Sequence, residues 1–207
     1  MKKIILLSGL LFSILTTTTV MAQLVDDEDV IFNAILGGAF NLIVQDGDIQ
    51  TATFSSADDY NFGISETQGT PGIDPGFTTV AMEATGNWYL KISAPDFTAI
   101  TGTGGIPINN LGVYCEATGT HQFGTEVTCL YQTIDAALGI LNTDVTLIDL
   151  LTENSGDQTD NLFVLHWLMG TMNGSMNTAS MFAQLADGIF SQGTYTSTVV
   201  LTMTEIP

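Results

Sequence analysis

The chain has 207 residues, with 22 acidic side chains against three basic ones, and 45% of it is apolar. A surface this acidic repels nucleic acid and anionic membranes, so neither is an expected partner. Apolar residues this plentiful and this patterned exclude a disordered acidic tail, and the length suits one domain.

The first residues read as an export leader. Lys2 and Lys3 form a positive start, Ile4 to Leu15 an apolar run, and Val20-Met21-Ala22 a small-residue cleavage site. The run is about a dozen residues, short of the roughly 20 that a membrane span needs. A signal peptide over residues 1–22 is expected, with a retained membrane or amphipathic helix as the alternative. Its removal takes Lys2 and Lys3 but no acid, leaving Lys91 as the one basic residue and a net charge of −21. The mature domain, residues 23–207, is then extracellular, at the cell surface or periplasmic, with no stable membrane insertion after cleavage.

An acidic run, Asp26 to Asp29, opens the mature chain. Val30, Phe32, Ala34 and Leu36 alternate, then Phe40, Leu42 and Val44 after a Gly37-Gly38 break. One kinked strand or two short strands fit this pattern. Asp46-Gly47 is a hairpin signal, which makes Ile49–Phe54 the expected return strand. Asp58 to Gly63 is turn-rich, and residues 65–77 read as a loop. Thr78–Ile100 is expected to form a hairpin about Gly86-Asn87. In its second strand Trp88, Leu90, Ile92 and Ala94 share one parity, which places Trp88 in the core.

Further along, Ile106–Cys115 is a strand interrupted at Asn109-Asn110. Leu111, Val113 and Cys115 share a parity, as do Val127, Cys129 and Tyr131, on either side of a loop. Cys115 and Cys129 are the only cysteines. An even pair in an exported chain argues for one disulfide, with two free buried thiols as the alternative. Residues 134–153 fit either helix or strand. Asn154–Asn161 reads as a polar loop and Leu162–Met169 as a strand buried on both sides. Asn177 is the expected N-cap of a short helix carrying Met181, Phe182, Leu185 and Ile189. The last strand points Tyr195, Val199, Leu201 and Met203 inward. Many short strands and one or two short helices predict a mainly β fold, a single β-sandwich of immunoglobulin-like or pilin-like style.

Chemistry is sparse in the sequence. His121 and His166 are the only histidines, and no recognised nucleophile, zinc-protease or phosphate-loop motif accompanies them, so no catalytic residue is expected. Asp46 with Asp48, and Asp157 with Asp160 and Asn161, are oxygen-rich turns that read either as calcium sites or as ordinary polar turns. Calcium is the only cofactor the sequence suggests. Tyr60, Phe62, Phe77 and Tyr89 are candidate sugar-stacking aromatics, with core or subunit contacts as the other reading.

The order of short motifs resembles the WxL-type bacterial cell-surface domains and, more loosely, pilin and spore-coat-like secreted β-sandwiches. The motifs are Phe62-Gly63, then Trp88-Tyr89-Leu90 followed by Asp96-Phe97, then Gly193, Tyr195, Leu201, Thr202 and Met203 before Pro207. The resemblance implies a non-catalytic surface protein with Trp88, Leu90 and Tyr195 as core motif residues. Its implied partners are copies of itself, other surface proteins or cell-envelope polymer.

Overall fold

A computed structural model describes residues 39–65 and 76–206. The expected leader, the acidic run and the strand expected at Val30–Leu36 lie outside these residues, as does most of the segment 65–77. Among the described residues the chain forms β1 (Phe40–Asp46), α1 (Ala57–Phe62), β2 (Ile64–Ser65), β3 (Phe77–Ala84), β4 (Trp88–Ser93), β5 (Phe97–Thr101) and β6 (Gly105–Ile106). There follow β7 (Leu111–Ala117), β8 (Val127–Thr128), β9 (Leu138–Gly139), β10 (Val145–Leu150) and β11 (Gly156–Met169). The chain ends with α2 (Met181–Ala186), β12 (Thr194–Thr196) and β13 (Val200–Glu205).

The expected mainly β sandwich is what forms. One sheet runs β1-β3-β11-β7-β9, with β2 added beside β11, and the facing sheet runs β13-β4-β10-β8. Every pairing within them is antiparallel. Val80, Met82, Phe163, Leu165 and Trp167 of the first sheet meet Trp88, Leu90, Ile92, Leu147 and Ile148 of the second in one buried core. A third sheet, β12-β5-β6, packs with α1 and α2 around a smaller cluster that includes Ile64, Ile106, Met181 and Phe190.

Two expected hairpins are not hairpins. β3 pairs with β1 and β11, whereas β4 pairs with β10 and β13, so Gly86-Asn87 carries the chain from one sheet to the other. Alternation fixes which face of a strand is apolar, and that face is the same whether the neighbouring strand lies beside it or across the core. The crossing is tied down at both ends. The Thr85 amide donates to the Ala39 carbonyl, and the Ile206 amide donates to the Asn87 carbonyl.

Asp46-Gly47 likewise starts no return strand, because β1 finds its partner in β3. Gln50 substitutes for a strand there. Its amide donates to the carbonyls of Gly47 and Phe77 and accepts from the Gly76 amide. Gly47 sits at φ 72 with the Phe77 carbonyl against the place a Cβ would occupy, so only glycine fits.

The polar loop expected at 154–161 is mostly the start of β11. Between Gly156 and Asn161 this strand slips out of register with β3. It is the central strand of its sheet, flanked by β3 and β7. Of residues 134–153, Ile134–Ala136 is a short 3-10 helix and Val145–Leu150 a strand. The N-cap of α2 is Ser180 rather than Asn177, which instead accepts from the Ala179 amide one turn earlier. The buried side of that helix is Met181 and Gln184; Phe182 and Ile189 are exposed. Gln184 is buried because it and Asn110 exchange amide hydrogen bonds of 3.0 and 2.7 Å. Each satisfies what burial would otherwise leave unpaired.

The turn-rich Asp58–Gly63 segment contains α1, closed by a capping box. Ser56 Oγ accepts from the Asp59 amide, and the Asp59 carboxylate accepts from the Ser56 amide. The same carboxylate accepts from the Ser55 amide and hydroxyl. These bonds, the Ser55 amide first, lower the Asp59 pKa to about 2. A carboxylate stabilised in the fold contributes fully above its unfolded value near 4, and the contribution is lost as pH falls through about 2. A carboxyl NMR titration should therefore place Asp59 near 2, with α1 loosening over the same range; a midpoint near 4 would contradict the capping box.

Candidate functional site

The calcium candidates accept hydrogen bonds within their own turns. Asp46 accepts from the Gly47 amide and Asp48 from the Ile49 amide. Asp157 accepts from the Thr159 and Asp160 amides, and Asp160 accepts from the Asp157 amide. These last bonds hold the out-of-register bulge at the start of β11. Asn161 points the other way, fully buried, with Oδ1 2.9 Å from His121 Nδ1. Among the described residues no three His, Cys, Asp or Glu side chains come together as a metal would require.

The two histidines are apart in role as well as sequence. His121 serves the loop that crosses the β11 bulge. His166 stands on the outer face of β11, stacked on Tyr114 at 4.5 Å and 3.3 Å from Glu116. The candidate sugar-stacking aromatics share no platform. Phe77 is on the outer face of one sheet and Tyr89 on the outer face of the other, under Lys91 at 5.0 Å. Tyr60 packs against Phe54, and Phe62 ends α1.

Cys115 and Cys129 are free thiols in this structure, not the expected disulfide, and both are buried. They are nonetheless brought side by side from different sheets. Cys115 lies on β7 and Cys129 follows β8, and the Cys115 amide donates to the Tyr131 carbonyl beside them. Burial raises the Cys115 pKa well above the ordinary thiol value, and its S–H donates to Cys129. That bond, with the Tyr131 amide 3.3 Å from the Cys129 sulfur, lowers the Cys129 pKa. Cys129 is therefore the sulfur that carries negative charge more readily.

Trp88 and Leu90 take their expected places, both fully buried. The Trp88 amide and indole N–H donate to the Asn154 side-chain and backbone oxygens at 2.9 and 2.7 Å, and Asn154 Nδ2 donates to the Trp88 carbonyl. Tyr195 is half-buried in the smaller cluster instead, edge-on to Phe190, with its hydroxyl 2.8 Å from the carbonyls of Thr103 and Ser191.

The feature the sequence did not bring forward is an asymmetry between the two sides of the sandwich. One side ends in β8 and β9, two residues each. The other ends in β1 with seven residues and β13 with six. Short edge strands are one way proteins blunt a sheet against further pairing; charge and proline are others. β1 carries no charge or proline from Phe40 to Gln45, and β13 none from Val200 to Thr204. The signal was present in the sequence as two uncharged alternating stretches. Their position at the edges was not.

The described residues thus form an antiparallel β-sandwich with one long, unblunted side. The chain matches no family model, and no curated protein matches it. The likeness to WxL-type domains therefore rests on the short motifs alone.

Proposed function

We propose that this is an exported, non-enzymatic structural protein of the cell surface or extracellular matrix that assembles with copies of itself. The observation that carries the reading is the pair of long strands, β1 and β13, that among the described residues form one side of the sandwich. They are uncharged over Phe40–Gln45 and Val200–Thr204, whereas the other side ends in two-residue strands. Open edges of this kind pair with further strands through backbone hydrogen bonds. The leader-like residues 1–22 support export, and a chain carrying 22 acids would be kept soluble until it meets a matching edge.

The alternating Val30–Leu36 segment is a candidate donor strand, and calcium is a candidate bridge between acidic surfaces. Size-exclusion of the mature protein over a wide concentration range tests the reading. Species larger than one chain are expected. A strictly monomeric protein at the highest concentration would overturn it, and retention unchanged by a chelator would remove calcium from the account.

A further inference from the structure

Among the described residues, the β1 and β13 side has more to it than two unpaired edges. β1 and β13 approach one another at Gly86, which has both the Phe40 ring and the Glu205 carboxylate about it. Between these edges the core is incompletely covered. Phe40, Val44, Val199 and Leu201 pack against it yet stay half-buried, unlike the fully buried residues of the central strands.

The backbone on this side also points outward in a regular way. In an antiparallel pair, residues alternate between bonding their neighbour strand and facing away from it. The Thr85-to-Ala39 bond sets the alternation in β1, so the amides of Phe40, Leu42 and Val44 face away from β3. The Ile206-to-Asn87 bond sets it in β13, so those of Leu201, Met203 and Glu205 face away from β4.

We infer that the occupant of this side is a second copy of the chain, related by a two-fold axis perpendicular to both sheets. A single such axis pairs β1 with β1 of the partner and β13 with its counterpart, each antiparallel, and so continues both sheets at once. The same contact covers the half-buried apolar flank with an identical flank, as an isologous interface requires. Charge restricts where two copies can meet. Two chains this acidic repel each other over most of their surface, and the two edges are where charge is absent from six and five consecutive residues respectively.

This inference rests on the self-assembly reading and narrows it, because a two-fold contact closes after two chains. Light scattering of the mature protein should give twice the single-chain mass at micromolar concentration. Leu201→Pro removes an amide that faces away from β4, and should return the mass to one chain with an unchanged far-UV circular dichroism spectrum. Leu42→Pro does the same for β1 should the first variant fail to fold. A wild-type mass that grows without limit would overturn the two-fold pairing and leave self-assembly standing. A wild-type mass of one chain at every concentration would overturn both. A folded Leu201→Pro and Leu42→Pro that remain dimeric would move the contact elsewhere.

Discussion

Trp88→Ala is expected to lower the unfolding free energy by about 3–5 kcal/mol, the range for removing a fully buried aromatic ring. Two costs add here. The ring fills the space between the sheets and meets Phe163 edge-on at 6.1 Å, and Phe163 in turn stacks with Phe123 at 5.7 Å. Its loss leaves a cavity at the junction of β4 and β11. The substitution also strands the Asn154 carbonyl, which accepts the indole N–H in a fully buried position. Because Asn154 also clamps the Trp88 backbone, Asn154→Ala combined with Trp88→Ala should cost less than the two single changes summed. Urea unfolding reads both effects. A loss under about 1 kcal/mol for Trp88→Ala would show that the ring contributes little to the core.

The second large effect is expected from the cysteine pair. Oxidised protein should be more stable than reduced protein by about 3 kcal/mol, the loop-entropy value for a closed segment of about 15 residues. The bond would join β7 of one sheet to the strand end after β8 in the other, a staple across the core rather than between neighbours. The chemistry is ordinary thiol–disulfide exchange with a disulfide-containing oxidant. The Cys129 thiolate attacks, one oxidant thiol leaves, and Cys115 then displaces the second as it gives up its proton. The shifts of the two thiols fit these roles, Cys129 as attacker and Cys115 as the resolving group. Intact mass and thiol titration in denaturant check the outcome in protein purified from an oxidising compartment. Two free thiols there, or equal melting with and without reductant, would contradict it.

What could be read from the sequence follows from what alternation encodes. The parity of Trp88, Leu90 and Ile92 fixed an inward face correctly, and the parities of Cys115 and Cys129 brought both sulfurs to the core. Neither pattern says which strand lies alongside. β3 and β4 are four residues apart in sequence and in different sheets, and the tie between Asn87 and Ile206 that makes this so spans most of the chain. Polar residues misled for a related reason. Gln50, Asn110, Asn154 and Gln184 look like loop or surface residues, yet they satisfy backbone or one another inside the fold. Asp157 and Asp160 show the reverse case, acidic residues of an expected loop whose carboxylates accept from the amides of a bulge inside a strand.

The candidate site was less legible than the fold because it is made of backbone. An edge is defined by the absence of a neighbouring strand, and no side chain announces that absence. Uncharged alternation from Phe40 to Gln45 or Val200 to Thr204 is equally consistent with a central strand. Only the sheet order separates the two.

Residue-resolved amide hydrogen exchange tests the account most directly. The amides of Leu42, Val44, Leu201 and Met203 face away from their own sheets, so in an isolated chain they should exchange quickly. They should become protected as concentration rises through the monomer–dimer transition, with the amides about β8 and β9 unchanged. Rapid exchange at these four positions, in a sample whose mass is that of two chains, would contradict pairing through β1 and β13.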